Sequence, residues 1–433
     1  MTTPPRLSRA TFASTVGTAL EWYDFSLYGT ASALVFAHVF FPAGNELAGT
    51  LASLGTFAVG FFARPIGGVI IGLLGDRVGR RQMLFLTLLL MAAASTAIGL
   101  MPTYAAIGIW APVGLVVLRV LQGIGAGGEY AGAMLLSAEH AQDEHRGLNA
   151  AIPSVGNAMG SLLATGIFFL AEAVFTQEQF LAWGWRIPFL LSALLAVAAF
   201  IIRLRVEESP EFEASKAAPR TERIQLAAVL RRGGRRIPLA MLMSIAPNVL
   251  SYLPSVYALS YLANQVGAPA SVGLLGIIIA NALKLVTVPT AGWLSDRFGG
   301  RVIMIIGSLA GAVLFFPFFM LLDTGTPVLI WAAFVMIFTL CCDMTLASQA
   351  TMLSTLFEVD VRYASVTFSR EITGAVVGGG IPFVAAALTG ALDGRPWLVA
   401  GFCAVLCVIG ALGTWALPER QADERAAHPV TVS

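Results

Sequence analysis

The chain has 433 residues, of which 57% are hydrophobic and 12% charged, with a net charge of +1 and a mean hydropathy of +0.79. A soluble globule carries roughly twice that share of charge, so the composition describes a polytopic membrane protein and excludes an ordinary soluble enzyme. The near-neutral balance gives no footing for a nucleic-acid partner.

A bilayer core takes about 20 apolar residues per helix. Such stretches fall near 12–41, 50–74, 83–101, 106–135, 148–172, 184–206, 237–263, 271–294, 302–322, 327–356, 363–391 and 397–417. The expected fold is therefore an all-α membrane protein of twelve transmembrane helices. The polar N-terminus shows no cleavable signal pattern, and the first span is expected to direct insertion. Of the 26 basic residues, 20 fall in segments assigned to the cytoplasm, 4 inside spans and 2 (Arg186 and Arg395) at outer edges. This asymmetry places both termini in the cytoplasm.

The first span carries Glu21 and Asp24 on one helix face, near its middle. A carboxylate withdrawn from water holds a proton more readily, and a like charge beside it adds to this. Such a pair suits a proton carrier, with Asp24 the first choice; alternatively Arg64 or Arg119 satisfies the pair structurally. Arg64 lies in the second span, whose loop to the third holds Gly72, Asp76, Arg77, Gly79, Arg80 and Arg81. The fourth span has Arg119, Gln122 and Gly123 at mid-depth, then Glu129 toward the cytoplasmic mouth, a candidate exit relay or helix latch. Asn157 in the fifth span, with Asn248, Tyr252 and Tyr257 in the seventh, are polar candidates for lining a cavity.

Residues 207–236 are polar and divide the chain into an N-terminal six-helix bundle (1–206) and a C-terminal one (237–417), followed by a tail at 418–433. Within the divider, Ile224 to Leu230 has the pattern of a short amphipathic helix lying on the membrane surface. The eighth span adds Asn281 and Lys284, and its exit loop reads Gly292, Asp296, Arg297, Gly299, Arg301. That loop copies the one after the second span at an offset of 220 residues, about half of the chain. Two pseudo-symmetric bundles joined in tandem are the layout of a carrier that moves one half against the other. The loop arginines and aspartates suit latches to helix ends when the inner side is shut. Arg64 and Lys284 each stand 12 residues before the repeated aspartate, about 18 Å along a helix, hence near mid-bilayer. A cation there is costly. Each either contacts an anionic substrate in a central cavity or is neutralised by a structural carboxylate, such as Asp343 for Lys284. In the eleventh span Arg370 and Glu371 point about 100° apart, which suits an inner-gate salt bridge or a second anion contact.

The four cysteines (Cys341, Cys342, Cys403, Cys407) read as packing residues. His38, His140, His145 and His428 form no metal-ligand pattern, so no metal or cofactor is expected. The glycine run from Gly123 to Gly128 lacks the strand and βαβ setting of a dinucleotide fingerprint and reads as close helix packing.

With these residues in place the chain resembles the major facilitator superfamily over its length, through the paired loop motif and Arg119-x-x-Gln122-Gly123. More narrowly it resembles the metabolite:proton symporters. That likeness rests on Gly17-x-x-x-Glu21-Trp22-Tyr23-Asp24-Phe25, Ala63-Arg64-Pro65-Ile66-Gly67-Gly68 and Gly127-Gly128-Glu129-Tyr130. Two further stretches, Trp183-Gly184-Trp185-Arg186-Ile187-Pro188-Phe189 and Glu208-Ser209-Pro210-Glu211-Phe212, add to it. The resemblance implies a monomeric, multi-pass protein of the inner cell membrane whose partners are lipid, protons and a small organic anion. Members import acids such as shikimate, α-ketoglutarate or citrate, and zwitterions such as proline and betaine. Two departures stand out: Gly300 replaces a usual basic residue, and Phe368-Ser369-Arg370-Glu371 replaces an aromatic-amide pair. A drug/proton antiporter is disfavoured because Pro153-Ser154-Val155-Gly156 lacks the expected Gly-Pro motif.

Overall fold

The structure, a computed structural model, describes residues 9–42, 44–78, 80–127, 146–205, 231–357 and 359–418. Among them the regular elements are helices, with no strand. In chain order the long stretches are α1 (Arg9–Leu34), α2 (Glu46–Val78), α3 (Arg80–Leu100), α4 (Trp110–Ala126), α5 (Arg146–Val174) and α6 (Arg186–Arg205). They continue as α7 (Arg236–Val266), α8 (Ala270–Phe298), α9 (Gly300–Asp323) and α10 (Pro327–Leu356). Next comes α11, in which Val359–Thr373 passes through a π-helical turn into Gly380–Ala391, and last α12 (Trp397–Trp415). Among the described residues eight helices are long and apolar enough to cross a bilayer, or nine if the bent pair Gln177–Gly184 and Arg186–Val197 is one span. Twelve spans and two cytoplasmic termini stay expectations of the sequence. The proposed surface helix at 224–230 and the tail from 419 on lie outside the described residues.

Packing within a membrane cannot rely on driving apolar faces out of water, so helices must approach closely. Glycines supply that approach where α2 crosses α4. A Cβ on Gly123 would stand 2.2 Å from the Gly60 carbonyl oxygen, and one on Gly67 would stand 2.2 Å from that of Ile124. On the far side of α1, a Cβ on Gly160 of α5 would stand 2.0 Å from the Ala19 carbonyl oxygen. The glycine-rich stretches of the sequence are thus helix-crossing surfaces.

The two expected halves meet along α5 against α8 and along α2 against α11. The turn between α8 and α9 needs Gly299, whose φ is 90°, a conformation that side chains with a Cβ resist. The glycine closing the repeated loop motif therefore has a backbone reason in its second copy. Gly79, its counterpart, is outside the described residues.

Replacing Gly123 with leucine drives a side chain into the α2 backbone, an overpacking cost of at least about 1–3 kcal/mol. Fluorescence-detected size exclusion should show loss of the monodisperse peak, while Gly401→Leu, at a position with open space around it, should keep it.

Candidate functional site

The centre of the molecule is organised by buried charge. Arg64 of α2 donates from Nη2 to Glu21 of α1 at 2.6 Å and from Nε to Glu371 of α11 at 2.9 Å. One guanidinium thus holds a carboxylate from each half. Its carbon also lies 4.6 Å from the Phe25 ring centroid. The structural alternative foreseen for Glu21, pairing with Arg64, is what the structure contains. Glu371 was foreseen in a gate near the inner end of its helix, and its partner on α2 could not be named from sequence, because 307 residues separate the two.

Asp24 behaves differently. It has no ion-pair partner within 4.0 Å among the described residues. Ser192 of α6 donates to its carboxylate at 2.8 Å, and Ser95 of α3 also hydrogen-bonds it. The link to Arg119 runs through α3 and α4: Arg119 donates to Gln122 at 2.5 Å, and Gln122 donates to Ser95 at 2.7 Å. The Arg119-x-x-Gln122 spacing places both side chains on one helix face, which is how the motif builds this relay. Arg119 is fully buried, its guanidinium 4.0 Å from the Tyr28 ring centroid, and its Nε and Nη2 have no hydrogen-bond partner. The lost Cβ at Gly60 makes its room, for a carbon there would sit 2.2 Å from Arg119 Nε.

In the other half Lys284 of α8 faces Asp343 of α10 at 3.7 Å, a looser pair than those of Arg64. Thr287 donates to the same carboxylate. Lys284 also lines a central cavity of about 40 Å³, enough for a few waters and too small for a metabolite. Around it stand hydroxyls of Ser26, Ser161, Ser251 and Ser255 and the amides of Asn157 and Asn281. Trp22, Phe25, Phe57, Tyr252 and Phe338 supply aromatic walls. Lys284 is the one charged side chain among these lining residues.

Of the residues singled out from sequence, Lys284, Asn157, Asn281 and Tyr252 therefore meet at the cavity. Arg64 and Arg119 do not line it in this conformation: Phe25, whose ring lies 4.6 Å from one guanidinium and 4.7 Å from the other, is itself a wall residue. Tyr257 is likewise away from the cavity, its hydroxyl bonded to that of Thr389. Arg370 is partly buried, and its charge acts on Tyr252. Asp296 and Arg297 are exposed, with Arg297 over Trp293 and Phe298 on its own turn. Arg301 donates to the Leu417 carbonyl after α12. This contact is between helix ends of the same expected half. The side chains of Asp76, Arg77, Arg80 and Arg81, and all of Glu129, lie outside the described residues.

The model of the sugar (and other) transporter family matches residues 10–227 and 213–424. The chain belongs to this family, within the major facilitator superfamily. It is 38% identical over 421 residues to the shikimate transporter of Escherichia coli (strain K12), covering 96% of this chain and 95% of that one. It is 39% identical over 381 residues to the inner membrane metabolite transport protein YhjE of the same organism, covering 86% of each. With the glycine betaine/proline/ectoine/pipecolic acid transporter OusA of Dickeya dadantii (strain 3937) it shares 34% over 419 residues, 94% of this chain and 82% of that one. Among solved structures, the xylose transporter XylE from E. coli in a partially occluded inward-open conformation superposes with a TM-score of 0.76 at 19% identity. That match covers 95% of this chain and 98% of XylE, and it shows the shared fold. This transporter therefore moves a small molecule across a membrane by secondary transport and is not an enzyme.

Removing one member of a buried ion pair strands the other and costs about 3–5 kcal/mol. Lys284→Met and Asp343→Asn should each lower the melting temperature in detergent, and the double variant should lose less than the two single losses combined. Additive losses would show that the 3.7 Å contact contributes nothing.

Proposed function

We propose that this transporter imports a small organic anion, a carboxylate such as shikimate or α-ketoglutarate, together with protons. On this reading it acts as a monomer in the inner cell membrane, by alternating access. The observation that carries the reading is the charge at the cavity: its one charged lining side chain is the cation Lys284, set among hydroxyls and amides that suit a hydroxylated acid. The similarity to a shikimate transporter points the same way.

Proton coupling is supported by the balance of buried charge. Among the described residues, the buried acidic and basic side chains of the span interiors are the cations Arg64, Arg119 and Lys284 and the carboxylates Glu21, Asp24, Asp343 and Glu371. With all ionised, one carboxylate is in excess. Glu21 and Glu371 share the single cation Arg64, Asp343 faces Lys284, and Asp24 and Arg119 act on each other without a direct pair. Asp24 is thus the carboxylate held by hydroxyls with no cation within 4.0 Å among the described residues. An apolar interior disfavours an excess charge, so one proton restores balance, and on our reading Asp24, the carboxylate without a direct ion pair, carries it. In the cycle we infer, a proton reaches Asp24 from outside, and the substrate carboxylate takes Lys284 from Asp343. The halves then rock, and both cargoes leave to the inside. The cavity must enlarge for this, because about 40 Å³ admits no metabolite.

A second reading is uptake of a zwitterion such as betaine or proline. The rings of Trp22, Phe25, Phe57, Tyr252 and Phe338 favour it, since aromatic faces attract quaternary ammonium groups, and so does the similarity to OusA.

The test is solute-driven acidification of liposomes holding the purified protein and an internal pH dye. One of shikimate, α-ketoglutarate or citrate should acidify the lumen. Asp24→Asn should abolish acidification while leaving exchange of labelled solute. Lys284→Gln should weaken half-saturation by about 1.5–3 kcal/mol, roughly ten- to a hundredfold. Acidification by betaine or proline alone would replace the anion reading with the zwitterion one.

A further inference from the structure

Arg64 stands on α2 with its two carboxylates on opposite sides of the division predicted by the repeat. Glu21, at 2.6 Å, belongs to α1 in the same half; Glu371, at 2.9 Å, belongs to α11 in the other. The Arg64, Glu21 and Glu371 side chains are only 8%, 1% and 8% exposed. The layer next to them, toward the cavity, also crosses the division. Trp22 of α1 stacks on Tyr252 of α7 with ring centroids 6.0 Å apart, and Phe61 of α2 meets Tyr252 edge-on at 4.9 Å. Behind these rings α11 comes in at backbone distance: a Cβ on Gly379 would stand 2.7 Å from Phe61, and one on Gly378 would stand 2.8 Å from Tyr252. Trp22 and Tyr252 are at once this layer and the wall of the cavity. The ion triad lies beyond them, toward the ends at which α1 and α11 begin, so ions and rings together floor the cavity on that side.

The two partners of Arg64 have different fates if α11 swings away from α2. Glu21 travels with Arg64. Glu371 does not. A guanidinium with a single buried carboxylate would be stranded by such a movement, and a stranded buried charge is strongly destabilising. With two carboxylates, Arg64 keeps one neutralising partner through the whole movement, while Glu371 is carried to the newly opened, hydrated path.

We propose that Glu371 is a positioning residue of the transport cycle: the removable partner of Arg64, which ties α11 to α2 and keeps the path shut beneath the cavity. Glu21 is the permanent partner, which lets that tie break without stranding the guanidinium. The inference rests on alternating movement of the halves and is independent of which solute is carried, so its test uses no solute.

Nitroxide labels on cysteines introduced at Leu86 of α3 and Phe298 of α8, which are 50% and 55% exposed, report the separation of the two halves at this end. The four native cysteines are buried. In Glu371→Gln the long-distance population should rise roughly tenfold over the parent, within the range that coupling energies between sites produce. Glu21→Gln, which leaves the cross-half pair in place, should keep the parent distribution. The exchanged variant Arg64→Glu/Glu371→Arg, made in the Glu21→Gln background so that two carboxylates do not face each other, rebuilds a cross-half pair with opposite polarity and should return the distribution to that of the parent. An unchanged distribution in Glu371→Gln overturns the proposal, as does equal opening in Glu21→Gln. Should Glu371→Gln fail to give a monodisperse peak, the exchanged variant decides alone: parent-like distances support the tie, and a shift to long distances overturns it.

Discussion

A guanidinium buried in the middle of a membrane protein is costly, and a carboxylate set against it offsets that cost. Arg64 has two such carboxylates, one on α1 and one on α11. Much of the surrounding architecture serves this arrangement. The glycines of α2 and α4 bring those helices to backbone contact, and Gly60 leaves the space that Arg119 occupies. Phe25 separates the two guanidinium groups from the cavity and offers its ring to both. Ion pair, ring packing and small residues at helix crossings are therefore one construction.

The second half solves the same problem differently. Lys284 stands at the position equivalent to Arg64 under the repeat, yet it has one carboxylate partner, at 3.7 Å, and it reaches the cavity. A compact ammonium on a flexible stem shifts between partners more easily than a planar fork held on two edges. The division of labour follows from this chemistry: the arginine ties helices together, and the lysine is left to face a solute. Asp24 completes the set as a carboxylate held by serine hydroxyls and connected through Ser95 and Gln122 to Arg119.

Sequence reading located most of these groups because charge inside an apolar stretch is conspicuous. Glu21, Asp24, Arg64, Arg119 and Lys284 stand out for that reason, as does Asp343, the example of a structural carboxylate for Lys284. Tyr257 was harder, since a tyrosine in a span faces either a cavity or a neighbouring helix with equal ease, and here its hydroxyl goes to Thr389. Arg301 is expected as a latch at a helix end, and the Leu417 carbonyl it reaches follows α12 of the same half. The sequence motif shows that an arginine sits at a helix end. It does not show whose helix end that is.

Composition, span pattern and the repeat at 220 residues by themselves determined that this chain is a helical membrane protein built from two similar parts, because a bilayer forces hydropathy to report topology. Local spacing determined which polar side chains share a helix face, as with Arg119 and Gln122. Only the tertiary structure decided which buried charges meet. Arg64 and Glu371 are brought together across 307 residues by the docking of α2 on α11, and a long-range pairing of that kind leaves no local trace in the order of the amino acids.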